Sequence, residues 1–133
     1  MDNPTPLPGP EKEFFDFLKE GRFKLQRSRS NNEFVFYPRN LAPKSGATDL
    51  EWVDASGFGT VHAVTVISRK PERGGNYNIA IVELNEGPRM ISRVVDTAPE
   101  DVTIGMKVKA AIVQPDFGAL KGKDQPILVF KPA

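Results

Sequence analysis

Few side chains in this sequence are of types that perform catalysis or bind metals tightly. The chain has no cysteine and a single histidine, His62. The lack of cysteine excludes disulfides, thiolate catalysis and thiolate metal sites together. His62 alternates with Val64 and Val66, so we expect a histidine packed in a barrel rather than a general base. The sequence therefore gives little support to catalysis.

Three carboxylates and a short glycine motif are the other candidates for chemistry. Asp49, Glu51 and Asp54 precede a predicted strand, and paired carboxylates can act in acid–base catalysis. We expect them instead to be solvated or to cap neighbouring backbone groups. The Gly-Phe-Gly segment at 57–59 is not followed by a helix, as a phosphate-binding loop requires. It therefore predicts a tight turn into the strands that follow.

Charge and hydropathy limit the classes of protein to which this chain can belong. The 133 residues include 18 basic and 17 acidic side chains, and this balance argues against a dedicated nucleic-acid binder. The longest apolar stretches fall far short of a membrane span. Residues 1–10 lack the basic and apolar segments of a signal peptide. We therefore expect a cytoplasmic protein with one compact domain or a small barrel and an appended module.

The first twenty residues predict a tail and a helix. Residues 1–10 contain four prolines, which remove backbone donors, so this segment is predicted to be disordered. From Glu11 onward, apolar residues recur at helical spacing, and the helix is expected to end near Gly21. The phenylalanines of this helix either dock on the barrel or face a partner.

The region from 22 to 52 is irregular and basic. The segments FKLQR and EFVFY predict two short strands. Glu33 is the only acid between Arg22 and Lys44, a stretch with six basic residues. A solvated loop face and a surface for an acidic partner are both open interpretations. The basic residues are Arg22, Lys24, Arg27, Arg29, Arg39 and Lys44.

The C-terminal half predicts a β-barrel. Alternation of apolar residues predicts five strands, at 59–69, 77–84, 89–95, 106–113 and 126–132. The turn NEGP predicts a hairpin between the second and third strands. The segment TAPEDVTIG predicts one helical turn with a capping box of Thr97 and Glu100. Five strands with a short helical element between the third and fourth are typical of an OB-fold.

Five stretches together resemble one bacterial and archaeal family. They are FFDFLKEGRFKLQR, FYPR, DLEWVDASGFGTVHAVTV, IAIVELNEGPRMISRVVD and PEDVTIGMKV. In order and spacing they resemble the family called domain of unknown function 35, which joins an N-terminal helix, a rubredoxin-like zinc ribbon and a C-terminal OB-fold. The resemblance implies a mainly β protein with a helix and ribbon-like hairpin at 11–55 and a five-stranded barrel at 56–133.

The resemblance also implies two C-x-x-C zinc knuckles, one on each side of FYPR. These fall on Ser28 and Asn31 and on Ala42 and Ser45, none of which is an effective zinc ligand. We therefore expect no metal and no other cofactor. A replacement core is predicted to consist of Phe34, Phe36, Tyr37, Leu50 and Trp52.

An accessory role is implied by the same resemblance. Family members accompany thiolase-like and other acyl-CoA-processing enzymes. The expectation is a non-catalytic subunit that docks to such an enzyme and contributes to acyl-CoA binding; a homo-oligomer is also open. Lys121 and Lys123 are candidate contacts for a CoA phosphate, with an exposed strand connection as the alternative.

Aromatic residues of the N-terminal half predict the partner interface. A short helix needs only one apolar stripe to dock on its own barrel, so the remaining rings are expected to lie exposed. The competing interpretation is that these rings form a core in place of the zinc. The predicted interface residues are Phe14, Phe15, Phe17, Phe34, Phe36 and Tyr37.

Single-stranded nucleic-acid binding is the alternative function. OB-folds that bind nucleic acid stack bases on aromatic side chains of the second and third strands. In this sequence those strands offer only Tyr77. Nucleic acid is therefore the less favoured partner.

Overall fold

The computed structural model describes residues 9–114 and 125–133, so Lys121 and Lys123 lie outside the described residues. Within those ranges the chain forms one α-helix, eight β-strands and two short 3-10 turns, and no helix is long and apolar enough to span a membrane. The helix and strands are α1 (Pro10–Lys19), β1 (Lys24–Ser28), β2 (Phe34–Val35), β3 (Leu50–Asp54), β4 (Phe58–Ile67), β5 (Tyr77–Leu84), β6 (Arg89–Ser92), β7 (Lys107–Val113) and β8 (Ile127–Pro132).

Helix α1 ends in a cap that depends on Gly21. Gly21 has a φ of 77°, in the left-handed region that glycine adopts without strain. Its N–H donates to the Leu18 carbonyl at 2.9 Å, and the Arg22 N–H donates to the Phe17 carbonyl at 2.9 Å. These two hydrogen bonds form a Schellman motif, and the predicted end of the helix is confirmed.

The first sheet has three antiparallel strands in the order β2-β1-β3. Strand β3 is absent from the sequence-based prediction, and it brings acidic residues next to the basic run. Arg27 pairs in register with Glu51 and Lys24 with Asp54, with ion pairs at 3.6 and 3.5 Å. Part of the predicted basic surface is therefore offset by carboxylates on the neighbouring strand.

The second sheet has five strands in the order β6-β5-β4-β7-β8, and its two ends meet. Val94, just after β6, forms a parallel bridge with Phe130 on β8. The Phe130 N–H donates to the Arg93 carbonyl at 2.9 Å, and the Val95 N–H donates to the Phe130 carbonyl at 2.7 Å. The sheet thus closes into a five-stranded OB-fold barrel, which confirms the predicted fold class.

Two local predictions in the barrel have different outcomes. The hairpin between β5 and β6 is confirmed, with the Leu84 N–H donating to the Pro88 carbonyl at 2.8 Å. A 3-10 turn at Pro99–Asp101 is also found between β6 and β7. The predicted capping box at Thr97 is wrong, because Ala98 is the N-cap and no side chain caps this turn. A residue before proline is held extended, which moves the N-cap to Ala98.

Strand β4 contains a β-bulge and a close strand contact. Its register with β5 shifts between Val61 and Ala63, and the intervening His62 is exposed. The prediction of a packed barrel histidine is therefore wrong, because the bulge interrupts the alternation on which it depended. A Cβ on Gly59 would lie 2.7 Å from Val82 Cγ1, so that glycine serves strand packing.

Buried side-chain amides hold two irregular segments against the sheets. Asn78, 2% exposed, donates to the Val94 carbonyl at 2.9 Å and accepts from the Val94 N–H at 2.8 Å. Gln26 on β1, 5% exposed, pairs with the backbone of Arg39 in the same two-bond manner, at 2.6 and 2.7 Å. Each amide satisfies backbone groups that no neighbouring strand reaches.

Candidate docking surface

The Phe14 ring is the centre of an aromatic cluster that fixes α1 to the rest of the molecule. Phe14 is 4% exposed, and its ring centroid lies 5.5 Å from those of both Phe15 and Phe36. Trp52 on β3 lies 6.5 Å from Phe14, and its indole N–H donates to Glu13 Oε2 at 3.1 Å. The helix therefore has one defined position beside the barrel and the first sheet.

One of the six predicted interface rings is buried, and a second is half-buried against the first sheet. Phe14 is buried, so its assignment to a partner interface is corrected to the interior. The Phe17 ring lies 5.3 Å from the Trp52 ring, and the Lys24 ammonium lies 5.3 Å from its centroid. Phe17 nevertheless stays partly exposed.

The other four predicted rings are distributed between the core and the surface. Phe34 and Phe36 are partly buried and pack against the barrel core. Phe15 is half-buried, whereas Tyr37 is 41% exposed, so the expectation that Tyr37 joins a replacement core is wrong. Phe15 and Tyr37 both contribute to one surface groove.

An apolar groove of about 510 Å³ lies between α1, the segment after β2, and the barrel strands β6 and β8. Ile91 and Tyr37 are its most accessible apolar members, at 71% and 41% exposed. Sequence reasoning missed Ile91, although its outward position on β6 follows from strand alternation. The groove is lined by Phe14, Phe15, Leu18, Phe36, Tyr37, Arg89, Met90, Ile91, Ile127 and Leu128.

Tyr37 follows β2 and lies near Glu11 in the first turn of α1. Partial burial raises the pKa of Tyr37 to about 12, and the hydrogen bond and negative charge of Glu11 add to the shift. The phenol is therefore neutral at physiological pH.

The apolar surface continues from the groove onto the outer face of the barrel. Ile91 on β6 pairs with Ile81 on β5, which pairs with Ala63 on β4. Ile79, on the same face of β5, is 37% exposed. Directly paired residues of antiparallel strands share a face, so these side chains form one aliphatic strip. This strip lies on the OB-fold face that stacks bases in nucleic-acid binders, where strands β5 and β6 offer Tyr77 as their aromatic ring.

The two turns at the predicted knuckle positions share one backbone pattern. The first residue of each turn, Ser28 or Ala42, donates its N–H to the carbonyl five residues later, at 2.8 and 2.9 Å. Its own carbonyl accepts from the N–H four residues later, at 2.8 and 2.7 Å. Those donors, Asn32 and Gly46, both have positive φ, 61° and 74°. The two turns therefore match in conformation although their side chains differ.

Asp49 takes the side-chain hydrogen bonds of the first turn. The Ser28 hydroxyl donates to Asp49 Oδ1 at 2.7 Å, and the Ser30 N–H donates to Oδ2 at 2.8 Å. The hydrogen bonds from Ser28 and then Ser30 hold the pKa of Asp49 below its ordinary value. Asp49 therefore caps the turn as a carboxylate, one of the two roles predicted for it.

Glu33 connects the two turns through hydrogen bonds. The side chains at the four predicted knuckle positions are unsuited to bind zinc. The Ser45 hydroxyl donates to Glu33 Oε1 at 2.9 Å, while Asn31 Oδ1 accepts the Glu33 N–H at 2.9 Å. Ala42 is fully buried and has no donor atom. Across residues 9–114 and 125–133, no three His, Asp or Glu side chains are grouped to hold a metal ion. The side chains at these positions are engaged with the protein itself.

Sequence comparisons place this chain among known proteins. The family profile for the ChsH2 C-terminal OB-fold domain matches residues 52–113. A DUF35 domain-containing scaffold protein from Methanocaldococcus jannaschii is 42% identical over 81 residues, which cover 57% of each chain. A probable enoyl-CoA hydratase alpha subunit from Thermomonospora curvata is 30% identical over 122 residues, which cover 90% of this chain. The aligned regions span 57% and 36% of the lengths of these two relatives.

Two solved structures align with nearly the whole of this chain. A chain of the Ltp2-ChsH2(DUF35) aldolase has a TM-score of 0.76 at 27% identity, covering 96% of this chain and 98% of that one. A DUF35 family protein of unknown function from Sulfolobus solfataricus has a TM-score of 0.62 at 17% identity, covering 94% of this chain and 87% of that one, and supports the fold alone. The chain is therefore similar to DUF35 family proteins in sequence and in fold, its residues 52–113 match the ChsH2 C-terminal OB-fold domain, and it has no cysteine.

Proposed function

We propose that the chain is a non-catalytic accessory subunit that docks to an acyl-CoA-processing enzyme, thiolase-like or related. The docking surface is formed by the groove and the aliphatic strip, with Phe15, Tyr37, Ile79, Ile81 and Ile91 as its apolar members. The names of similar proteins, a scaffold protein and a hydratase alpha subunit, support an accessory role. The structural neighbour from an aldolase with a ChsH2 component supports it as well.

The exposure of Ile91 carries this proposal. Its side chain is 71% exposed and lies beside Tyr37 in the groove and beside Ile81 on the strip. Contiguous apolar surface of this kind commonly marks a protein interface. Arg89 and Glu83, joined by a 3.2 Å ion pair, border it on the same strands. A polar border around an apolar centre is the usual anatomy of such an interface.

The side chains of types that could act in catalysis are held in structural interactions or lie away from the groove. Asp49 caps the first turn, and Asp54 and Glu51 are paired across strands with basic residues. His62 lies at the β-bulge of β4, outside the lining of the groove. These positions support a docking role without turnover by the isolated chain.

A contact with acyl-CoA is the finer part of the proposal. Lys121 and Lys123 remain the proposed contacts for a CoA phosphate, because the lysine ammonium group is a compact cation that binds phosphate. Replacing both with glutamine is expected to raise KM for acyl-CoA in the reconstituted complex and to leave docking intact. An unchanged KM would remove these lysines from the proposal.

Copurification with matched isoleucine variants tests the docking surface. Tagged wild-type chain, Ile91→Asp and Ile104→Asp are expressed in the source organism, and copurifying proteins are identified by mass spectrometry. Ile104 is the control because it is 72% exposed but lies between β6 and β7, outside the groove. We expect wild type and Ile104→Asp to retain one acyl-CoA-processing enzyme, and Ile91→Asp to lose most of it, because a buried carboxylate would be unpaired.

Three outcomes contradict the proposal. The first is a dominant partner that processes no acyl-CoA, and the second is equal retention by Ile91→Asp and wild type. The third is detected by light scattering on the isolated chain. If Ile91→Asp converts a homo-oligomer into a monomer, the surface joins copies of this chain instead of an enzyme.

A further inference from the structure

A second, polar cleft lies where the connection between β4 and β5 meets the segment after β6. Its volume is about 470 Å³, a size typical of small-molecule sites. Its charged lining residues are Arg69, Arg73, Arg93, Glu72 and Asp96. None of these residues lines the groove, so the cleft is distinct from that part of the docking surface.

A stacked arrangement of cations on Tyr77 forms one wall of the cleft. The guanidinium carbon of Arg69 lies 4.6 Å from the Tyr77 ring centroid, and that of Arg93 lies 4.1 Å from it. Arg69 approaches from the β4 side and Arg93 from the β6 side, since β5 lies between those strands. Cation–π contact of this kind fixes the orientation of the Arg69 guanidinium over the ring.

The loop after Arg69 is shaped to hold that guanidinium. Gly74 has a φ of 109°, and a Cβ there would lie 3.1 Å from Arg69 Nη2. Only glycine therefore gives both this backbone conformation and space for the side chain. The Arg69 N–H donates to Asn76 Oδ1 at 3.0 Å, and the Arg73 N–H donates to the Lys70 carbonyl at 2.9 Å. The position of Arg69 is thus set by its own loop before any ligand binds.

Hydrogen-bonding capacity remains at this site. Arg69 Nε is buried and has no hydrogen-bond partner in the described part of the chain. Among residues 9–114 and 125–133, neither Arg69 nor Arg73 forms an ion pair, whereas Arg22, Lys24, Arg27 and Arg89 each do. No carboxylate within ion-pair distance therefore neutralises these two guanidinium groups in the described part of the chain, and an anion in the cleft would accept hydrogen bonds from them.

We propose that this cleft binds a phosphate group of a small soluble ligand through Arg69 and Arg73, with Tyr77 positioning Arg69. Guanidinium groups match the oxygens of phosphate in geometry and charge. Single-stranded nucleic acid would need an extended basic groove with several stacking rings, whereas the cations here are gathered in one cleft. The ligand is therefore a phosphate ester or a diphosphate.

Calorimetric titration of the isolated full-length chain tests this site. The probes are inorganic pyrophosphate, adenosine 3′,5′-bisphosphate and a short oligothymidylate. The variants are Arg69→Gln, Arg73→Gln and the control Lys70→Gln, which removes the same charge from the same loop but outside the cleft. We expect saturable binding that weakens about tenfold in each arginine variant, the loss expected for one charge-assisted hydrogen bond. Lys70→Gln should bind nearly as wild type.

Two comparisons decide the ligand class. Tighter binding of the bisphosphate than of pyrophosphate identifies a nucleotide ester as the source of the phosphate, and equal binding identifies a free diphosphate. No binding of either probe by wild type, or equal loss in all three variants, overturns the proposal. Preferential binding of the oligothymidylate assigns the cleft to nucleic acid and overturns it as well.

A structural effect of the substitutions is separable from a binding effect. Arg73 is exposed, so Arg73→Gln is expected to unfold at the same urea concentration as wild type while binding more weakly. Tyr77→Phe keeps the ring and is expected to bind as wild type, whereas Tyr77→Leu loses the stack and binds more weakly. The docking variant Ile91→Asp is expected to keep full phosphate binding, so this site can stand or fail independently of the partner enzyme.

Discussion

The Ser45 hydroxyl donates a 2.9 Å hydrogen bond to the Glu33 carboxylate and so joins the two turns that correspond to zinc knuckles in the family resemblance. The second carboxylate oxygen of Glu33 accepts the Lys44 N–H at 3.2 Å. One carboxylate from the first turn thus contacts both a side chain and the backbone of the second turn. This is the kind of cross-link that a metal ion would otherwise provide between two turns.

A double-mutant cycle on this pair is the first prediction. Ser45→Ala and Glu33→Ala are each expected to lower the free energy of unfolding, and the double variant should lose less than the sum. The coupling should be about 0.5–1 kcal/mol, because the pair is partly solvated. Urea unfolding of the four proteins measures it. Strict additivity would show that the hydrogen bond does not stabilise the turns.

The second prediction concerns zinc. Wild-type protein purified without a metal-binding tag is expected to contain no stoichiometric zinc, and a chelator should leave its Tm unchanged. The positive control is a variant with cysteine at positions 28, 31, 42 and 45. Because both turns keep the same backbone hydrogen bonds, this variant should bind zinc and become sensitive to chelators. Stoichiometric zinc in the wild-type chain would contradict the prediction.

The third prediction is a pH dependence centred on Asp49. Its pKa is lowered in the folded protein, mainly by the hydrogen bond from Ser28, from an ordinary value of 3.8. The carboxylate therefore stabilises the fold above pH 3.8, and this contribution is lost as the pH falls through the lower folded pKa. Asp49→Asn should accordingly destabilise the protein at neutral pH and much less in acid. Urea unfolding across this range checks it, with Asp101→Asn as an exposed control.

Local sequence patterns predicted most of the barrel and two strands of the first sheet, but not the third strand of that sheet. Strand β5 and the hairpin after it follow from alternation and turn chemistry that neighbouring residues determine. Strand β3, Leu50–Asp54, is not evident from local pattern, which shows there only carboxylates and the apolar Leu50 and Trp52, because its partner β1 lies more than twenty residues earlier in the chain. The ion pair between Arg27 and Glu51 could not be anticipated without that pairing.

Burial within the helix was the other point at which the sequence-based prediction failed. Phe14 and Leu18 are four residues apart and are the buried members of α1. Helical geometry alone indicates that two residues at this spacing lie on one stripe of the helix. The prediction treated Phe14, Phe15 and Phe17 as equivalent because composition does not show which stripe faces the interior. Ile91 was missed for a related reason, since an exposed strand residue becomes notable only when Tyr37 is brought beside it.

The fourth prediction tests the amide that helps close the barrel. Asn78→Ala removes two hydrogen bonds to the Val94 backbone and leaves a buried N–H and carbonyl without partners. We expect a loss of about 2–4 kcal/mol in the free energy of unfolding. Asn85→Ala, in the exposed hairpin turn, is the control and should change stability little. Equal effects of the two substitutions would show that the Asn78 hydrogen bonds are not required.

The last prediction separates the core role of Phe14 from the docking role of Phe15. The Phe14 ring is 4% exposed at the centre of the aromatic cluster, so Phe14→Ala should lower the free energy of unfolding by about 3–5 kcal/mol. Phe15 is half-buried in the groove, so Phe15→Ala should cost less stability and weaken partner binding by about 1–3 kcal/mol. Urea unfolding and binding to the copurified enzyme measure both quantities. If Phe15→Ala binds the partner as wild type does, the groove next to α1 is not part of the interface, and contact must be confined to the strip around Ile91.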